Sequence, residues 1–323
     1  MMLKPLLVSF AAFALSAAAQ AQTKWDMPTP YPEGNFHTVN IKQFIEDVKN
    51  ATGGQLDMTV HSNQSLIKHP DMLRAVSTGQ VNIAEFLLGQ FGNEEAVFNA
   101  DNIPFLAAGY DNAWKLYQAQ KPALERKLQG RGMRLLYSVA WPGQGIYTKV
   151  ALKTVDDLKG QKIRTYSPVT ARLFELLGAS PTVIQASEIP QAFATGTISG
   201  MITSSVTGSD SKAWEFVKNY YMTSAMHPKN VVAVNNRSFQ GLPAAQRQAL
   251  ATAAGAAEKR GWGLSREREA SANKQLADNG MTLHTPDAAM MASYGKVGEA
   301  MLGDWLKSTA ADGEAIVKAY RGR

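Results

Sequence analysis

The sequence predicts an α/β protein of two lobes, joined by strands that cross between them and followed by a long C-terminal helix. Three observations carry this expectation. Strand and helix signals alternate along the chain. A mature length of about 300 residues is more than one ordinary hydrophobic core accommodates. No repeat and no low-complexity linker divides the chain into unrelated modules.

The first lobe is expected over 22–140. Thr23 to Met27 reads as a strand ended by Pro28 and Pro30. Asn40 to Ala51 is an amphipathic helix, since Ile41, Phe44, Ile45 and Val48 follow i, i+3, i+4, i+7 spacing, and Gly53-Gly54 ends it. Leu56 to Val60 alternates like a strand, Asp71 to Thr78 is a helix stopped by Gly79, and Val81 to Leu88 is a strand. The second lobe is expected over 141–235, its signals starting near Arg134. Met133–Ser138, Gly145–Thr148, Lys162–Thr165, Thr182–Ile184 and Ser199–Thr203 read as strands, while Ser167–Leu177 and Ala186–Ala194 read as helices. Residues 236–323 hold a long helix from about Pro243 to Gly280 and a C-terminal helix, Asp287 to Lys307, expected to return to the first lobe. In such folds ligands sit beyond the carboxyl ends of the strands. The loops after Met27, Val60, Phe86, Ser138, Arg164, Ile184 and Thr203 are therefore the candidate site.

Residues 1–21 read as a secretory signal: Lys4, an apolar stretch from Leu6 to Leu15, then Ala19-Gln20-Ala21 as a cleavage pattern. The apolar stretch is shorter than the roughly 20 residues a membrane span needs. The absence of cysteine excludes a disulfide framework, a cysteine metal site, a cysteine nucleophile and a lipid-anchored cysteine. Together these features place the protein in the periplasm. The net charge of +6 is dispersed. Its densest cluster, Lys259, Arg260, Arg266 and Arg268, alternates with Glu258, Glu267 and Glu269, which is the pattern of a solvated helix face. No one-signed basic stripe with interleaved aromatics points to nucleic acid. The modest positive balance suits a small anion.

Catalytic signatures are missing. Gly196-Thr197-Ile198-Ser199-Gly200 has the wrong spacing for a nucleophile elbow, and Ser209-Asp210-Ser211-Lys212 lacks the partner motifs of a penicillin-recognising enzyme. The five histidines, His37, His61, His69, His227 and His284, come with no carboxylate cluster that would complete a metal site. No phosphate loop or dinucleotide fingerprint occurs. The expectation is no enzyme, no metal and no cofactor.

The run Thr154-Val155-Asp156-Asp157-Leu158-Lys159-Gly160-Gln161-Lys162-Ile163-Arg164 resembles the signature of the solute-binding proteins of TRAP transporters, the tripartite ATP-independent periplasmic transporters. Further matches follow in register: Leu176 to Pro181, Ser187 to Phe193, Thr195 to Gly200, Ile103 to Leu106 before them, and Phe239 to Pro243 at the entry to the long helix. The resemblance covers nearly the whole mature chain. It implies the two-lobed periplasmic binding protein fold, a monomer that closes on a small organic acid and delivers it to the membrane permease subunits of a TRAP transporter.

The resemblance also implies roles. Arg164 matches the strand-end arginine that forms a two-pronged salt bridge with the ligand carboxylate, and a guanidinium fork pairs with both oxygens where Lys offers one point charge. Thr203 stands for a ligand-bonding Asn, and Gln144 falls where some members place a second Arg. His69 and His227 match positions near the cleft. Leu87 replaces a Glu of sugar-acid binders, and Ala186 replaces an aromatic. Phe36, His37, Trp141 and Tyr166 fall in the same loops, where Phe36, Trp141 and Tyr166 could equally serve core or hinge packing. Loss of polar partners at Ser199-Gly200-Met201-Ile202-Thr203 argues against a sugar acid. With one cation and an apolar remainder (Leu87, Met201, Ala186, Phe36, Trp141), the expected ligand is a monocarboxylate, a 2-oxo or 2-hydroxy acid such as benzoylformate, mandelate or phenylpyruvate. Lys68 beside His69 keeps a C4-dicarboxylate open. The sequence is also compatible with a sugar-acid receptor, with a receptor of the tricarboxylate or ABC class, and with a periplasmic hydrolase or lyase of similar shape.

Overall fold

A computed structural model describes residues 22–322, so the expected signal sequence lies outside the described residues. In chain order the elements are β1 (Thr23–Pro28), α1 (Phe36–Ala51), β2 (Leu56–His61), α2 (Met72–Thr78), β3 (Ile83–Leu87), α3 (Tyr110–Gly130), β4 (Met133–Ala140), β5 (Gln144–Thr148), β6 (Lys162–Thr165), α4 (Pro168–Leu176), β7 (Ser180–Val183), α5 (Ile189–Ala194), β8 (Gly200–Ser204), α6 (Ser205–Asp210), β9 (Asn219–Tyr221), β10 (Lys229–Asn235), α7 (Asn236–Gly241), α8 (Ala244–Asp278), β11 (Thr282–His284), α9 (Ala288–Thr309) and α10 (Ala311–Arg321).

The first lobe holds a parallel pair, β1-β2, and an antiparallel sheet of order β3-β10-β4. The second holds a six-stranded mixed sheet of order β11-β9-β5-β8-β6-β7. The sequence pattern assigns 229–235 to the second lobe, but β10 is hydrogen-bonded between β3 and β4 of the first. Its run Val231-Val232-Ala233-Val234 is buried throughout, as a central strand covered on both faces requires. The sequence pattern also assigns no element to 110–130, where α3 lies. The apolar stripe of α3 is built partly from Ala113, Ala119, Gln120 and Ala123, which carry little periodic signal, and Pro122 sits inside it.

The chain crosses between lobes after β4 and again before β10, and the two crossing segments are bonded side by side. Trp141 N–H donates to Pro228 O at 2.8 Å, Gln144 N–H to Met226 O at 3.1 Å, and Ser224 N–H back to Gln144 O at 3.0 Å. Helix α8, 35 residues and roughly 50 Å long at 1.5 Å per residue, packs on α1 and β4 in one lobe and on α6 and β11 in the other. Trp262 Nε1 on this helix donates to Ser138 O at 2.9 Å. Helix α9 packs on the 3-10 turns at Ala96–Asn102 but also on α4, and α10 covers α3, so the C-terminus touches both lobes.

Gly145 in β5 shows how tightly the second lobe closes on the crossing. A Cβ there would stand 2.2 Å from Tyr220 Cε2 and 2.5 Å from the backbone oxygen of Tyr221. The backbone oxygen belongs to the paired strand β9 and cannot rotate away. Gly145→Ala is therefore expected to destabilise the fold by about 1–3 kcal/mol, the usual cost of overpacking. Thermal or urea unfolding checks this, and a wild-type midpoint would contradict the packing.

A candidate ligand site between the lobes

A cavity with about 410 Å³ of empty space, some of it open to solvent, lies between the lobes. Of the residues singled out from the sequence, Arg164, Thr203, Gln144, His69, Trp141, Leu87, Tyr166 and Ala186 line it. Phe36 does not. It is buried one layer behind, edge-on to Trp141 at 5.3 Å. His227 does not line it either. Its Nδ1 bonds Trp141 O at 3.1 Å, and it borders a smaller cavity with Asp101 and Lys229. Met201 is sealed in the second lobe's core with Tyr147 and Ile198, and His37 pairs with Glu85 at 3.0 Å beneath the site. Lys68 is exposed and lines none of the cavity.

Tyr31, Gln185, Ser204, Thr207 and Pro228 complete the wall, and sequence reasoning does not single them out. Tyr31 and Gln185 lie in loops already marked by the strand-end rule, those after Met27 and Ile184. Tyr31 is held by its hydroxyl on Asn230 Oδ1 at 3.2 Å, the same oxygen that accepts from Trp141 Nε1 at 2.9 Å. The Tyr31 and Trp141 rings meet edge to face at 4.9 Å.

Arg164 is placed by β6, whose neighbours β7 and β8 run parallel to it. Ile163 goes to the core and Arg164 to the cleft. Only 2% of Arg164 is exposed. Its Nε donates to Ile184 O at 2.9 Å and its Nη1 to Ile202 O at 3.3 Å, carbonyls on either side of its own strand. Its Cζ stands 5.8 Å from the centre of the Tyr166 ring. Burial lowers its pKa to about 10, against the opposing influence of Tyr166, Tyr31 and Glu188, so it is charged at neutral pH. None of the ion pairs among the described residues includes it. The guanidinium keeps donors unused on the cavity side.

His69 is fixed in one tautomer. Its Nε2 accepts from Leu87 N–H at 3.2 Å, so its Nδ1 carries the proton and bonds Gln185 Oε1 at 2.9 Å. Burial lowers its pKa to about 4. Arg164 is thus the one charged group at physiological pH among the residues that line this cavity. The arrangement can hold a carboxylate on a fork and present neutral donors and acceptors around it. Among the described residues no group of ligands that could hold a metal ion is found.

The family model of bacterial extracellular solute-binding proteins, family 7, matches residues 30–304. The crystal structure of a Bordetella pertussis extracytoplasmic solute receptor binding pyroglutamic acid superposes with a TM-score of 0.92 at 50% identity, covering 93% of this chain and 100% of that one. A marine metagenome TRAP solute-binding protein specific for pyroglutamate, solved with co-purified pyroglutamate, gives a TM-score of 0.92 at 37% identity over 94% and 100% of the two chains. The C4-dicarboxylate-binding periplasmic protein of Rhodobacter capsulatus is 27% identical over 284 residues, 86% of this chain and 84% of that protein. The chain belongs to the family 7 extracellular solute-binding proteins, the receptors of TRAP transporters. These are solute-binding receptors, not enzymes. Among the described residues no helix is long and apolar enough to cross a membrane.

Two of the buried histidines carry a pH signature. Both His69 and His227 have pKa values lowered by burial from 6.5 to about 4. Above pH 6.5 both are neutral folded or unfolded. As the pH falls from 6.5 towards 4, the unfolded chain takes up protons that the folded one refuses, so stability declines across that window. His69→Gln is expected to flatten the decline in melting temperature between about pH 7 and pH 4.5 relative to wild type. An unchanged decline would show that His69 is not held neutral.

Proposed function

We propose that the protein captures a small monocarboxylate of the pyroglutamate type in the periplasm, acts as a monomer, and passes its ligand to the permease of a TRAP transporter. The observation that carries this reading is Arg164, a buried guanidinium facing a cavity whose other lining groups are neutral. A ligand with one carboxylate balances it, and a second buried anion would lack a charge partner. The pyroglutamate-binding neighbours at 50% and 37% identity support the same class.

The neutral groups suit a lactam. Gln144 Nε2 is committed to Pro142 O at 2.8 Å, which leaves its Oε1 as an acceptor for a ring N–H. Gln185 Oε1 is committed to His69, which leaves its Nε2 as a donor for a ring carbonyl. Trp141, Leu87 and Tyr31 supply apolar surface for the methylenes. This complementarity puts pyroglutamate ahead of the aromatic 2-oxo acids as the first ligand to test. A C4-dicarboxylate is disfavoured by the position of Lys68 outside the cavity.

Calorimetric titration with pyroglutamate, succinate, malate and mandelate tests the assignment, with saturable binding expected for pyroglutamate and failure expected for the dicarboxylates. Tight succinate or malate binding without pyroglutamate binding would overturn it. Arg164→Ala is expected to weaken binding about 30-fold or more while the fold persists, as for truncation of a buried charge-assisted pair. Arg164→Lys is expected to fall nearly as far, because the second prong is lost. Wild-type titrations for either variant would remove Arg164 from the site.

A further inference from the structure

The ligand cavity does not end at its own walls. Tyr31, Trp141, Ala186 and Thr207 also line a second space of about 640 Å³ that opens to solvent, so the two adjoin across these four residues. The outer space is an antechamber whose further walls include Asn35, Asn63, Ser187 and Asp210. No Lys, Arg or His is among the residues lining it, and Asp210 is its one carboxylate. A ligand that enters from this side would pass a negative charge before it reaches the positive one at Arg164.

Asp210 is held in place across the cleft. It ends α6 in the second lobe, and its Oδ2 accepts from Asn35 Nδ2 of the first lobe at 2.8 Å. Asn35 is itself fixed, since its Oδ1 caps α1 by accepting from His37 N–H at 3.0 Å. Burial pushes the Asp210 carboxyl above the usual range, while Asn35, Arg268 and His37 pull it back. Arg268 acts on it from α8 without making an ion pair among the described residues. The residue keeps part of its surface open to solvent, although its carboxyl is largely desolvated.

Resting on the reading that Arg164 takes the ligand carboxylate, we propose that Asp210 selects the outer end of the ligand by charge. A carboxylate anchored on Arg164 with a neutral or cationic outer end is accepted, and one with a second anionic group is refused. The chemistry is like-charge repulsion with no cation among the residues lining the outer space, which acts as an element against the wrong ligand rather than for the right one. The accepted class extends beyond a compact lactam to carboxylates that carry an amide or ammonium donor at their far end. That donor would find the Asp210 carboxylate.

Three acids of matched length test this: glutarate, its monoamide glutaramate, and 5-aminopentanoate, each titrated by calorimetry against wild type and Asp210→Asn. Asn keeps an oxygen for Asn35. In wild type, glutaramate and 5-aminopentanoate are expected to bind about tenfold or more tighter than glutarate. Asp210→Asn is expected to reduce the glutaramate-to-glutarate preference to about threefold or less, and to weaken 5-aminopentanoate. Pyroglutamate, which fits within the inner cavity, serves as the control for intact binding. An unchanged preference in Asp210→Asn, equal binding of glutarate and glutaramate by wild type, or failure of all three linear acids while pyroglutamate binds would each overturn the proposal. Loss of pyroglutamate binding by wild type with the charge order of the linear acids preserved would instead overturn the lactam reading and leave the role of Asp210 standing.

Discussion

A guanidinium taken out of water without a carboxylate beside it is costly, and proteins bury such a charge only where something else compensates it. Arg164 is compensated in part by the carbonyls of Ile184 and Ile202 and by the face of Tyr166. These are dipoles and a quadrupole, not a counter-charge. The arrangement of the second lobe follows from supplying them. Parallel strands β7 and β8 flank β6, so Ile184, just past β7, and Ile202, within β8, bring carbonyls to both sides of the same side chain. On the proposed reading, a carboxylate arriving from solvent would add the missing charge in a place where screening by water is weak. The same reasoning accounts for the neutrality of His69. A second cation in this cavity would repel Arg164, and burial together with the Leu87 N–H keeps the imidazole unprotonated.

The first lobe contributes the other wall, and four side-chain hydrogen bonds tie it across the cleft. Gln64 donates to Ser187 at 2.9 Å, His69 to Gln185 at 2.9 Å, Tyr166 to Asn102 at 3.0 Å and Asn35 to Asp210 at 2.8 Å. In each of the four at least one partner lines the ligand cavity or the space outside it. The connections that do not depend on the ligand space include the paired crossing segments at 140–144 and 224–228, the helix α8 behind them and the packing of α9 on α4. A molecule built this way separates what joins its lobes permanently from what joins them around a guest, which is the division of labour that hinge closure requires.

The alternation of strand and helix signals made most of this architecture readable in the sequence. The ends of α8 fall within two residues of the expected Pro243 and Gly280 because a proline enters it and a glycine follows it. What was not readable was long-range. Nothing local in Val231 to Val234 says that this strand leaves the second lobe and inserts between β3 and β4. The site divides along the same line. Arg164, Thr203 and Gln144 could be placed because each sits on a strand at the cleft. Phe36 and His227 could not be told from lining residues, since one helical turn or one side of a proline decides whether a ring faces the cavity or the layer behind it. Tyr31 and Gln185 were hidden by residue type, as a tyrosine between prolines and a lone glutamine carry no signal until the loops that bear them face each other.

The support of Arg164 extends well beyond the cavity, along a path that joins the site to the crossing of the chain. Tyr166, whose ring lies beside the guanidinium, donates through its hydroxyl to Asn102 Oδ1. Asn102 Nδ2 donates to Asp101 Oδ1 at 2.7 Å, and Asp101 Oδ2 receives both the Nζ of Lys229 at 2.9 Å and its backbone N–H at 2.8 Å. Lys229 is the first residue of β10, where the chain re-enters the first lobe, and it is wholly buried. Burial pulls its ammonium pKa down and pushes the Asp101 carboxyl up, and the pairing opposes both. An ion pair this deep contributes little net stability, but removal of either partner strands a charge in the interior. Its value here is geometric. The carboxylate has its orientation set by its two contacts with Lys229, which orients Asn102, and the hydroxyl of Tyr166 finds the Asn102 oxygen at 3.0 Å with the Met226 sulfur farther off at 3.9 Å. The ring beside Arg164 is thus aimed from the point at which the two lobes are joined, and the guanidinium keeps its direction because the crossing strand keeps its register.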